Sequence, residues 1–123
     1  MSTHMGWEYA ELHNSGYRGL YNGLDEDGIH QLKRLTKSQK ILNHMTAAEA
    51  AANDFRITQA TLRMRSEKPA TPEAAFAIAE EAGRRTRKAM EYGGVMPEDM
   101  PVADSIKDAK RRLESNRQLL PKK

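Results

Sequence analysis

Two helix-start signals stand 25 positions apart in this chain, and little else in it leaves so few folds open. The first is Thr46-Ala47-Ala48-Glu49, a capping box in which the threonine hydroxyl serves the amide three residues on and the glutamate reaches back. The second is Thr71-Pro72-Glu73: a cap residue, a proline where its missing N–H is no loss, and an acid in the first turn. Between them, "AAEAAANDFRITQATLRMRSE" contains neither glycine nor proline, and Pro69 follows it. After the second signal "AAFAIAEEAGRRTRKAMEY" continues to Gly93-Gly94, a glycine stop. Together they predict a long antiparallel helix pair over about 46–67 and 72–92, joined by the proline-bearing link around Pro69. Along the first helix Ala48, Ala51, Ala52, Phe55, Gln59 and Leu62 recur at helical spacing and form the expected inward stripe, with Asp54 off it. The apolar faces of the pair are mainly small residues, which lets helix backbones approach closely.

Shorter elements surround the pair. Trp7 to His13 reads as a short helix stopped by Asn14 and Gly16. "YRGLYNG" then reads as a loop, with Gly16, Gly19 and Gly23 as structural turn residues. A glycine there marks a turn needing positive φ, or a point where something comes close to the backbone. Asp25 caps a helix through "DEDGIHQLKRL", with Ile29, Leu32 and Leu35 on one stripe, and "TKSQKILNHM" carries Ile41, Leu42 and Met45 on a further short helix. "VMPEDMPVA" is a connector, and "DSIKDAKRRLESNRQLL" is a final amphipathic helix with Ile106, Ala109, Leu113 and Leu120 along one side. The expected fold is all-α, a small domain of about five to six helices over residues 9–120, with residues 1–8 a leader or cloning remnant. Only 6% of residues are aromatic and much of the 38% hydrophobic share is alanine, so the core is thin and a partner, a second copy or a further domain is expected to support it.

The same residues narrow the chemistry. With no cysteine, disulfides and thiolate metal sites are excluded. No run is long enough for a membrane span and no signal peptide is visible, so a cytoplasmic protein away from membranes is expected. The glycines match neither G-x-G-x-x-G nor the P-loop pattern, and no strand precedes them. His4, His13, His30 and His44 lack metal-ligand spacing, so no metal and no cofactor is expected. Serines and threonines sit at caps, carboxylates in first helical turns, and no nucleophile constellation stands out, so no enzyme is expected.

Charge is unevenly spread. Residues 1–28 hold five carboxylates against Arg18, whereas residues 29–45 hold Lys33, Arg34, Lys37 and Lys40 with no acid. His30, Lys33, Arg34, Lys37 and Lys40 share one side of a continuous helix, which suits a phosphate backbone. Arg18 adds a cation just upstream, and Tyr17 and Tyr21 offer rings for stacking on exposed bases. Two plainer readings stand beside these: a charge run as a solvated face, and Tyr17, Leu20 and Tyr21 as an apolar plug between helices.

"GYRGLYNGLDEDGIHQLKRLTKSQKILNHM" resembles the C-terminal half of the DNA-damage-inducible protein D family, with its G-Y-x-G-L-Y-x-G, I-H-x-x-K/R-x-L and K-x-x-Q-K-I-L-x-H-M elements. "AEAAANDFRITQAT" and "GGVMPEDMPVADSIK" continue the likeness, from about Tyr9 to Leu113 and more weakly over residues 66–82. The resemblance implies a role in the bacterial SOS response, with RecA filaments and single-stranded DNA as partners and strand exchange held back. It also implies an antirepressor-type N-terminal domain, which this sequence lacks. Two expectations follow. One is a non-enzymatic regulator that contacts RecA filaments or single-stranded DNA through the Tyr17/Tyr21 segment and the basic run. The other is a helical oligomerisation or scaffolding module, with a homodimer as its simplest form, that leaves DNA binding to the N-terminal domain.

Overall fold

A computed structural model describes the backbone of residues 2–104 and the side chains of residues 8–104. The described residues form an all-α fold of four helices: α1 (Ser2–Leu20), α2 (Glu26–Lys33), α3 (Ala47–Glu67) and α4 (Pro72–Met90). Short 3-10 turns follow at Ile41–His44, Glu91–Gly93 and Pro97–Asp99. Both threonine caps hold: Thr46 Oγ1 accepts from the Glu49 amide at 3.4 Å and Thr71 Oγ1 from Ala74 at 3.2 Å, while the Glu49 carboxylate, expected to reach back to the cap, turns instead to Lys33 and Tyr21. Lys68 in the left-handed region ends α3, and the link to Thr71 returns α4 antiparallel beside it. Asp25 caps α2 through the Gly28 amide.

Among the described residues the helices differ from the sequence expectation in two places. The short Trp7–His13 helix runs on to Leu20 as one continuous α1 that takes in the first part of the "YRGLYNG" stretch, so Gly16 and Gly19 are helical and not turn residues. The turn lies beyond them, at Asn22 and Gly23, whose φ values of 56° and 99° place both in the left-handed region. "TKSQKILNHM" forms a loop and a single 3-10 turn instead of a helix. The predicted final helix lies outside the described residues.

Gly16 and Gly19 mark the other use of glycine, close approach. α1 and α4 run in the same direction, Gly16 beside Gly83 and Leu20 beside Arg87. A Cβ on Gly83 would stand 2.5 Å from the Gly16 carbonyl oxygen, and one on Gly19 would press into the Glu80 carbonyl. Only glycine permits that backbone contact.

The main core gathers Leu20, Tyr21, Ile29, Ile41 and Ala52, flanked by Tyr17, Leu24, Leu35, Met45 and Met90. A smaller cluster of Ala60, Ile78 and Ala82 sits between α3 and α4. The stripe expected to turn inward on α3 mostly faces out: of its six residues only Ala52 is buried, and Phe55 and Leu62 are each 53% exposed. The buried face is instead Glu49, Ala52, Asn53, Arg56 and Ala60.

Candidate functional site

A row of polar side chains fills the space beneath α1 and α2. Glu49 is fully buried and accepts from the Lys33 ammonium at 2.7 Å and from the Tyr21 hydroxyl. Asn53 Nδ2 donates to the Tyr21 hydroxyl at 3.0 Å, and Arg56 Nε donates to Asn53 Oδ1 at 3.0 Å. The Arg56 guanidinium caps the Tyr17 ring at 4.7 Å, and Tyr17 meets Tyr21 edge-on at 5.8 Å. Burial, then the Glu49 carboxylate, drives the Tyr21 phenol far above its ordinary range, so it stays a donor. Burial likewise lowers the Arg56 pKa, partly offset by the two tyrosines. Among the described residues no buried side-chain nitrogen or oxygen lacks a partner. Such a network closes on itself and offers nothing outward.

The predicted basic wall is therefore divided. Tyr21 and Lys33 belong to the buried network. His30 is buried too, its Nδ1 3.0 Å from the Glu26 carbonyl oxygen and its Nε2 2.9 Å from that of Gln39. Tyr17 lies half-buried under Arg56. Arg18 is held at 2.8 Å by Glu11, with Asp25 4.0 Å away on the other side. A continuous helix would align all the cations; α2 stops at Lys33 and scatters them.

What remains outward is Arg34, Lys37 and Lys40, all exposed and, among the described residues, in none of the ion pairs within 4 Å. Their loop is fixed from both ends. Arg34 takes a left-handed conformation at φ 57°, and the Leu35 amide donates to the His30 carbonyl at 2.9 Å. The Thr36 amide donates to Gln39 Oε1 at 2.8 Å, the Gln39 amide to the Thr36 carbonyl at 3.0 Å, and His30 ties the Gln39 carbonyl to α2. Thr36 and Ser38 place two hydroxyls among the cations, 3.0 Å apart. A turn with three free cations and two hydroxyls can contact consecutive phosphates.

A further basic group, Arg84, Arg85, Arg87 and Lys88 on α4, is differently placed. A cleft of about 430 Å³ beside Gly19 and Asn22 is lined by Arg18, Arg84, Arg87 and Lys88 together with Glu80 and Glu91. Its arginines are matched: Arg84 by Glu80 at 3.0 Å, and Arg87 by both oxygens of Glu98 at 2.7 Å. Arg87 also donates to the Leu20 carbonyl, so it joins α4, α1 and the connector. Among the described residues no group of three or more His, Asp or Glu side chains could hold a metal ion, and no helix is long and apolar enough to cross a membrane.

Sequence reasoning missed Asn53 and Arg56 and gave Glu49 a capping duty alone. The available signal was spacing: Glu49, Asn53 and Arg56 recur at four and three on a helix otherwise rich in alanine.

Residues 3–109 match the family model described as the DinD C-terminal domain. The chain is 41% identical over 118 residues to DNA damage-inducible protein D of Escherichia coli (strain K12), covering 94% of this chain. It spans 42% of that relative's length. No solved structure matches. The three sequence blocks, the four-helix body they build and the span of the match agree, and the chain belongs to the DinD C-terminal domain family.

Proposed function

We propose that this domain acts in the DNA-damage response as a non-enzymatic regulator, docking on RecA filaments and their single-stranded DNA through the Arg34–Lys40 loop. The observation that carries the reading is an exposed, hydrogen-bonded turn with three cations that form no ion pair among the described residues, in a stretch without an acid between Asp27 and Glu49. Its relative's name, DNA damage-inducible protein D, supplies the cellular setting. Phosphate contact is the only recognition the loop offers, because Tyr17 and Tyr21 are engaged inside; binding is thus insensitive to base sequence. No residue of the network or the loop is asked to make or break a bond.

The test is fluorescence anisotropy of a labelled oligonucleotide, free and coated with RecA, over a salt series. Three phosphate contacts on a single strand predict a log–log salt slope of about −2. Replacing Arg34, Lys37 and Lys40 together by alanine should flatten that slope, while Lys88→Ala should leave it unchanged. Absence of binding to both partners at low salt, or a triple variant that binds like the parent, overturns the reading.

A further inference from the structure

The outer face of α3 is apolar and uncovered among the described residues, although a surface helix ordinarily turns such a face inward. Its exposed positions keep a seven-residue repeat: Ala48, Phe55 and Leu62, with Ala51 and Thr58 between them. The chain itself returns to the start of this stripe. The Ala103 amide donates to the His44 carbonyl at 2.8 Å, and His44 Nδ1 lies 2.9 Å from the Ala103 carbonyl oxygen. The described backbone thus ends at Asp104, next to the N-terminus of α3.

The sequence that follows carries the same repeat. Ile106, Leu113 and Leu120 recur every seventh residue with Ala109 and Asn116 between them, and each stands 58 positions after its counterpart on α3. The tether fits that offset, since His44 precedes Ala48 by four residues and Ala103 precedes Ile106 by three. Flanking charge fits as well. In a parallel pair of heptads Asp54 falls across the seam from Arg117.

We propose that the outer face of α3 is the docking surface for this chain's own segment 105–120, which lies parallel to α3 with Leu113 against Phe55 and Leu120 against Leu62. The stripe is then a genuine core stripe, as its periodicity demands, with the partner supplied from the same molecule.

The chain has no cysteine, so an introduced pair reports alone. In the full chain Thr58→Cys with Asn116→Cys should close an intrachain disulfide in most molecules, to an extent independent of protein concentration. Thr58→Cys with Gln118→Cys, which faces away in this register, should close at least tenfold more slowly. Equal closure of both pairs overturns the proposal, as does linkage only between chains, which would make a second copy the occupant. Independently, Phe55→Ser and Leu113→Asp should each lower Tm by about 5 °C, and the double variant by little more than either alone. Two variants that leave Tm unchanged also overturn it.

Discussion

Lys33 and Glu49 illustrate how one buried contact reassigns a residue. In the sequence Lys33 is one cation in an acid-free run; in the fold it is the interior half of an ion pair 2.7 Å long, with both side chains almost fully buried. Removing two ions from water costs roughly what their attraction returns, so the pair adds little net stability over apolar residues. Breaking it is a different matter, since the survivor stays buried and uncompensated. Lys33→Met should therefore cost about 3–5 kcal/mol in urea unfolding. Tyr21→Phe, which leaves Glu49 and Asn53 short of a partner, should cost about 1–3 kcal/mol. Oligonucleotide affinity of the folded Tyr21→Phe variant should stay at the parent level, because the ring has no exposed face. A charge count along the chain treats Lys33 and Lys37 alike; only the position of α2 over α3 separates them.

Between elements, the decisive contact is the α1–α4 crossing. A glycine inside a helix gives up about 1 kcal/mol relative to alanine, so Gly19→Ala would stabilise an isolated helix. In this fold the added Cβ meets the Glu80 carbonyl and lies 2.9 Å from the Arg84 nitrogen, backbone atoms that cannot swing away. Gly19→Ala should therefore destabilise by about 3 kcal/mol or more, the upper end of overpacking costs. Gly93 has nothing within 4 Å of where a Cβ would stand, so Gly93→Ala should change stability by less than about 0.5 kcal/mol. Thermal melts of the two variants separate the readings. Turn and close approach were both legible as uses of glycine in "SGYRGLYNG"; which glycine serves which use depended on whether α4 lies alongside.

For the whole molecule, Arg87 and Glu98 close the body by fastening the connector to α4 and the end of α1. The Arg87 guanidinium holds the Glu98 carboxyl below its ordinary value of 4.5. The unfolded chain thus takes up that proton first, and the pair's stabilisation, present above pH 4.5, is lost as pH falls below it. Burial, reinforced by Arg56, lowers His13 from 6.5, so a first and smaller decline should begin below pH 6.5. The exposed pairs of Arg63 with Glu67 and Glu81 add little to either limb. Glu98→Gln should lower stability by about 1–2 kcal/mol at pH 7, and its difference from the parent should shrink toward zero at pH 3. Urea unfolding at a series of pH values checks both limbs.

Local chemistry along the chain determined the helical class, the caps at Thr46, Thr71 and Asp25 and the antiparallel turn at Pro69, because each depends on residues within a turn or two of one another; membership in the family was legible too, from the order of blocks along the chain. Tertiary packing decided which side of α3 faces in, which glycines turn the chain, and which three of the candidate cations meet solvent. Periodicity gives the angle between stripes on a helix but not the direction of the protein's centre; on α3 a carboxylate held by Lys33 and Tyr21, and an amide and a guanidinium bonded to each other, took the inside in place of the apolar stripe.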